Sequence, residues 1–129
     1  MQIQEGRVSI EESVEIGKGG EANLLADIFL PPKEETNRPA ILFVHGGGWL
    51  EGDRSQLRGY GILLARLGFV TMCNSYRLST EAHWPAQIQD VKCAVRYMRA
   101  NAEKLGIDPD RIGVSGNSAG GHLSLMAAA

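Results

Sequence analysis

The chain has 129 residues, 43% of them hydrophobic and 22% charged, with a formal net charge of −2. That near-neutral balance argues against nucleic acid or an anionic membrane surface as a principal partner. No apolar run approaches the roughly 20 residues of a membrane-spanning helix, and the apolar content suits one compact core.

Met1 to Glu15 repeats acids without an apolar h-region, so no secretory signal is visible. A cytoplasmic location is expected unless a signal has been removed. Arg7 to Ile16 alternates Val8, Ile10, Val14 and Ile16 with polar neighbours and reads as a strand, bulged near Glu12. Gly17 to Gly20 is read as a turn without the strand–helix context of a phosphate loop. Asn23 to Leu30 is a second strand, stopped by Pro31-Pro32 and paired with the first as an antiparallel hairpin. After the charged loop Lys33 to Arg38, the continuous apolar run Ala40 to Val44 has the character of a strand covered on both faces.

Ser55 to Leu67 is expected to be a helix with Leu57, Tyr60, Leu64 and Leu67 on its buried face and Gly68 as its stop. Phe69 to Cys73 is the next buried strand. From Pro85 to Leu105 the clearest helix of the chain places Ile88, Val91, Val95, Met98, Ala102 and Leu105 opposite Gln89, Lys92, Arg96, Arg99 and Glu103. Asp108-Pro109-Asp110 turns the chain into a short strand, Ile112 to Ser115, followed by an Ala/Leu/Met-rich helix. Alternating strands and helices after the opening hairpin predict a mostly parallel sheet with helices on both faces. Cys73 and Cys93 fall on a strand and a helix, read as two buried free thiols rather than a disulfide, and are too few for a metal site. No repeat or interdomain linker interrupts the chain.

Two motifs carry chemistry. Gly116-Asn117-Ser118-Ala119-Gly120 lies between the last strand and its helix, a Gly-x-Ser-x-Gly pattern. A serine projecting from so tight a turn sits in a strained conformation, and the glycines two positions away leave room for it. A dinucleotide-binding loop occupies the same context but requires glycine where Ser118 stands. Upstream, His45-Gly46-Gly47-Gly48-Trp49 follows the buried strand directly, as the loop that completes an oxyanion hole for such a serine does. The pair points to a hydrolase with Ser118 as nucleophile. His83 reads as exposed. His122 lies near Ser118 along the chain, but that proximity does not aim its ring at the hydroxyl.

On those residues, together with Tyr76-Arg77-Leu78-Ser79, Trp84-Pro85-Ala86, Asp90, Gly106-Ile107-Asp108-Pro109 and Gly121-His122-Leu123, the chain resembles the N-terminal half of an α/β-hydrolase. It is similar to hormone-sensitive-lipase-like esterases, and more closely to the feruloyl/acetyl-xylan-esterase-like (BD-FAE-like) branch, because Asn117 stands where many of the former have Asp. The resemblance covers Ala40 to the end, whereas Met1 to Pro39 matches only in strand pattern. A single truncated domain is expected, with a hairpin and loop over 1–39 and the two motifs within 40–129.

The resemblance implies hydrolysis of a small-molecule carboxylic ester, such as an acetylated or feruloylated carbohydrate, with no cofactor and no metal. Ser118 would attack the carbonyl while the backbone N–H groups of Gly47, Gly48 and Ala119 hold the oxyanion. His45 and Gly46 would support the loop, and Trp49 either lines the site or packs beneath it. Gly116, Asn117 and Gly120 would form the elbow. Arg77 and Asp90 are either solvated charges or a pair pinning the Tyr76–Pro85 loop to the long helix. In this fold the triad acid and histidine follow the serine, but residues 119–129 hold no carboxylate and only His122. The alternatives to an esterase half are therefore a non-catalytic ligand-binding relative, or an inactive structural fragment that self-associates through an exposed sheet edge.

Overall fold

The computed structural model describes residues 3–48 and 52–128; Trp49 lies outside them. Five strands form one sheet in the order β1-β2-β4-β3-β5, where β1 is Ser9–Gly19, β2 Ala22–Leu30, β3 Arg38–Val44, β4 Val70–Asn74 and β5 Ile107–Gly116. β2 runs antiparallel to both neighbours, while β4, β3 and β5 are mutually parallel. Only β2 therefore opposes the common direction, and the opening hairpin is present.

The strands alternate between two faces, as a period of two requires. Ala26 and Ile28, Ala40, Leu42 and Val44, and Val70 and Met72 face α2 (Ala86–Ala100) and α4 (Ala119–Ala128), meeting Ile88, Val91, Ala94, Met98 and Leu123. Phe29, Phe43 and Cys73 face the other way, toward Leu57 and Ala65 at α1 (Arg58–Arg66). Helices thus cover both faces, α1 on one side and α2 and α4 on the other.

Several local expectations are corrected. β1 continues to Gly19, so the turn is confined to Gly20 and Glu21. The bulge expected near Glu12 is present: the register shifts between Glu11 and Val14, where Ser13 adopts φ 53° and donates its N–H to Asp27 Oδ1 at 2.9 Å. Arg38 belongs to β3 rather than to the preceding loop. It is buried, and its guanidinium donates to the Gly68 and Lys33 carbonyls at 2.8 Å each.

The buried stripe of the first helical segment is Leu57, Gly61, Ala65 and Gly68, whereas Tyr60 is 61% exposed. Small residues let the helix approach the sheet closely: a Cβ on Gly61 would sit 3.0 Å from the Phe29 ring, and Thr71 donates its hydroxyl to the Gly61 carbonyl. The long helix is broken at Asn101, which has φ −107° and donates Nδ2 to the Tyr97 carbonyl; α3 (Ala102–Leu105) follows. Asparagine competes for the backbone in this way and ends helices. Ala94 is fully buried and Val95 only half-buried, so the seam is rotated by one residue there. β5 begins at Ile107 instead of Ile112, with Asp108 to Arg111 bulging out between the pairs Arg38–Ile107 and Ala40–Ile112. Cys73 and Cys93 are free thiols, the second half-buried.

Candidate active site

Val44 and Gly116 pair across the parallel β3–β5 ladder, so both strands end at the same level and their following loops leave side by side. This is the carboxyl end of the sheet, where open α/β folds place ligands. At the end of β5, Ser118 holds φ 51°, a left-handed conformation that costs a non-glycine residue roughly 1–3 kcal/mol. The Gly120 N–H donates to the Asn117 carbonyl at 2.9 Å and the His122 N–H to that of Ser118 at 3.1 Å, closing the turn into α4. A Cβ on Gly116 would lie 2.5 Å from the Val44 carbonyl oxygen, and one on Gly120 2.6 Å from that of His45. Both contacts are with backbone, which no side-chain rotation relieves.

The loop after β3 reaches the elbow directly. A Cβ on Gly46 would stand 3.3 Å from Ser118 Cβ and 2.7 Å from the Asn117 carbonyl oxygen. Gly47 and Gly48 follow with φ 133° and 62°, and the space beside Gly48 is open. His45 is buried, its ring stacked on Tyr76 with centroids 4.2 Å apart and planes 9° from parallel; the Tyr76 hydroxyl donates to the His45 carbonyl at 2.8 Å. Burial pulls the imidazole below its ordinary pKa of 6.5, with the Gly46 carbonyl and Asp53 acting in the opposite sense. The ring is therefore neutral near pH 7. Nδ1 lies 2.9 Å from the Gly46 oxygen, which only accepts, so the proton is assigned to Nδ1. Because C=O and N–H point oppositely across a trans peptide, holding the Gly46 carbonyl also sets the direction of the Gly47 N–H.

Arg77 and Asp90 form a pair. The carboxylate, 2% exposed, accepts from the Arg77 N–H at 2.8 Å, from Nε at 2.9 Å and from a terminal nitrogen at 2.9 Å. Gln87 adds 2.9 Å bonds from Nε2 to the carbonyls of Arg77 and Ala82, tying the 76–85 loop to α2. His83 is exposed. His122 lies on α4 with its ring 5.8 Å from that of Trp84, which is about half exposed. Among the described residues no group of three His, Cys, Asp or Glu is placed to hold a metal.

Three further residues contribute to this region with little mark in the sequence. Gln56 accepts the Gly46 N–H at 2.8 Å, and nothing in its local pattern marks it. Tyr76 stood within a motif but had no role. Asp27, buried in β2, pairs with Arg54 at 3.1 Å and Arg58 at 3.5 Å. A lone charge in the otherwise apolar Leu24–Leu30 run was the available signal for it. Beside Asp27, desolvation first and the carboxylate second push the Cys73 thiol up to about 12, so it is no nucleophile.

The BD-FAE family model matches residues 26–129. Arylacetamide deacetylase of Oryctolagus cuniculus is 37% identical over 98% of this chain and 33% of its own length. Esterase LipC of Mycobacterium tuberculosis is 45% identical over 69% of this chain and 22% of its own length. The chain thus spans a third or less of these two relatives. Among solved structures, Thermogutta terrifontis esterase 2 phosphonylated by cyclosarin aligns with a TM-score of 0.82 at 34% identity, covering 88% of this chain and 44% of that one.

Proposed function

Because the chain belongs to the BD-FAE family of α/β-hydrolase esterases, we propose that it carries the nucleophile and the oxyanion hole of a carboxylic ester hydrolase. The single observation behind this reading is the contact between the Gly46–Gly48 loop and strained Ser118, at the aligned ends of β3 and β5.

In the proposed reaction Ser118 Oγ bonds to the ester carbonyl carbon. The carbonyl π pair moves onto oxygen, and the N–H groups of Gly47, Gly48 and Ala119 receive the oxyanion. Such donors are worth about 3–4 kcal/mol each where one has been removed from a comparable site. Collapse expels the alcohol, which takes the proton lost by the serine, and water then releases the acid from the acyl-serine. Neutral His45 braces the loop and exchanges no proton with substrate. No residue of this chain is assigned as general base, since residues 119–129 contain no carboxylate and His122 packs beside Trp84. An acetylated or feruloylated carbohydrate is the proposed substrate class.

Turnover by the 129-residue chain alone is expected to be slow, because a serine without its base is a weak nucleophile. Deacylation needs the same base, so an acyl-serine should accumulate. Incubation with 4-nitrophenyl acetate followed by peptide mass mapping should find acetyl on Ser118. Acetylation confined to lysines, or unchanged in Ser118→Ala, would reject the proposal.

A further inference from the structure

We propose that Gln56 is a positioning residue of the oxyanion loop, acting with His45 to hold Gly46 so that the Gly47 N–H is aimed at the oxygen that develops beside Ser118. The inference rests on the esterase reading. β3 ends at Val44, so Gly46 has lost the support of the sheet. Its two polar groups are instead held by side chains from opposite directions. Gln56 Oε1 accepts the N–H at 2.8 Å, and His45 Nδ1 donates to the carbonyl at 2.9 Å. Gln56 thus fixes the His45–Gly46 peptide, whose carbonyl also accepts from Tyr76, and His45 fixes the Gly46–Gly47 peptide that carries the Gly47 N–H. With both planes held, the torsions of Gly46 between them have little freedom left.

The turn that presents Gln56 is itself anchored. The Gln56 N–H donates to the Asp53 carbonyl at 3.2 Å, and Asp53 Oδ1 accepts the Ser55 N–H at 2.8 Å. On either side, Arg54 and Arg58 reach the buried Asp27 carboxylate in β2 at 3.1 and 3.5 Å. Arg54 also donates to Ser13 Oγ at 2.7 Å, and Arg58 to Glu12 at 2.8 Å, both in the bulge of β1. A chain of bonds therefore runs from the bulge through Asp27 and the two arginines to the amide that holds Gly46. The bulge turns Glu12 and Ser13 toward the arginines, which accounts for an irregularity far from the elbow in sequence. Gln56 itself is solvent-exposed, so replacing it removes no core packing.

The test pairs two readouts on the wild-type chain, Gln56→Leu and Gln56→Glu. The first is hydrogen exchange at the Gly46 amide. The second is phosphonylation of Ser118 by a 4-nitrophenyl alkylphosphonate, in which the Oγ–P bond forms, the P–O(aryl) bond breaks, nitrophenolate leaves and the serine proton passes to solvent. Gln56→Leu should stay folded with a modestly lower melting temperature, because the buried Gly46 N–H loses its acceptor. It should exchange Gly46 faster and lose at least about tenfold in the limiting phosphonylation rate at unchanged half-saturation, since a 1 Å misplacement can cost about a hundredfold. Gln56→Glu, which keeps an acceptor, should retain Gly46 protection. Unchanged exchange in Gln56→Leu, or a limiting rate equal to wild type, would overturn the inference. A wild-type chain that is not labelled at Ser118 would overturn the esterase reading and the inference with it, an outcome distinct from equal labelling of both forms.

Discussion

Replacing Asp90 by alanine should bring the chain close to unfolding. The carboxylate is 2% exposed and the Arg77 side chain 16%, so the pair lies in the regime where removing one partner strands the other charge. Such losses run to about 3–5 kcal/mol, against about 0–1 kcal/mol for an exposed pair. The Arg77 backbone N–H also loses its acceptor. Taking about 3 kcal/mol and a urea slope near 1.5 kcal/mol/M, the midpoint should fall by about 2 M. The double variant Arg77→Met/Asp90→Leu leaves no buried charge and should retain more stability than Asp90→Ala alone. Urea titration followed by circular dichroism measures all three. A midpoint shift below about 0.5 M for Asp90→Ala would mean that the pair behaves as a surface contact and does not pin the 76–85 loop.

Ala94→Asp should cost several kcal/mol by burying an unpaired charge on the sheet side of α2, while Arg96→Asp on the exposed side costs little; equal melting temperatures would contradict the assigned seam. Gly120→Ala forces a methyl against two backbone carbonyls and should cost about 1–3 kcal/mol or more, with loss of Ser118 acylation; full acylation would show that the elbow yields easily. His45, held below its ordinary pKa by burial, binds a proton less readily in the folded than in the unfolded chain. Its contribution is therefore whole above pH 6.5 and declines as pH falls through the folded value. The drop in urea midpoint between about pH 7.5 and about pH 5.5 should be smaller in His45→Gln, and an equal drop would assign the pH dependence elsewhere.

What was legible in the sequence followed from strong local rules. Ala40–Val44 and Phe69–Cys73 read as buried strands because strands covered on both faces need no alternation, and the tight turn at Ser118 was readable because its glycines stand where neighbouring backbone leaves no room for a Cβ. The helix seams were less legible. The stripe on the α1 segment is made of Gly61, Ala65 and Gly68, which serve as close-packing positions rather than as apolar bulk, so the larger Tyr60 drew the expected face outward. The break at Asn101 depends on one side-chain bond to Tyr97 that competes with an otherwise continuous apolar period. Gln56 was invisible for another reason. Its role exists only once the turn before α1 folds back over Gly46, and a glutamine in a polar loop carries no mark of that contact.

The most direct test of the proposed nucleophile at Ser118 is the site of modification by a fluorophosphonate, since the homologous Thermogutta terrifontis esterase 2 is phosphonylated by cyclosarin. Folded wild-type chain, Ser118→Ala and urea-unfolded chain should be treated in parallel and mapped by tandem mass spectrometry. One phosphonate is expected on Ser118 in the folded chain and none on that peptide in the other two. Label spread over several serines, or carried equally by the unfolded chain, would contradict a preformed nucleophile and oxyanion centre at Ser118.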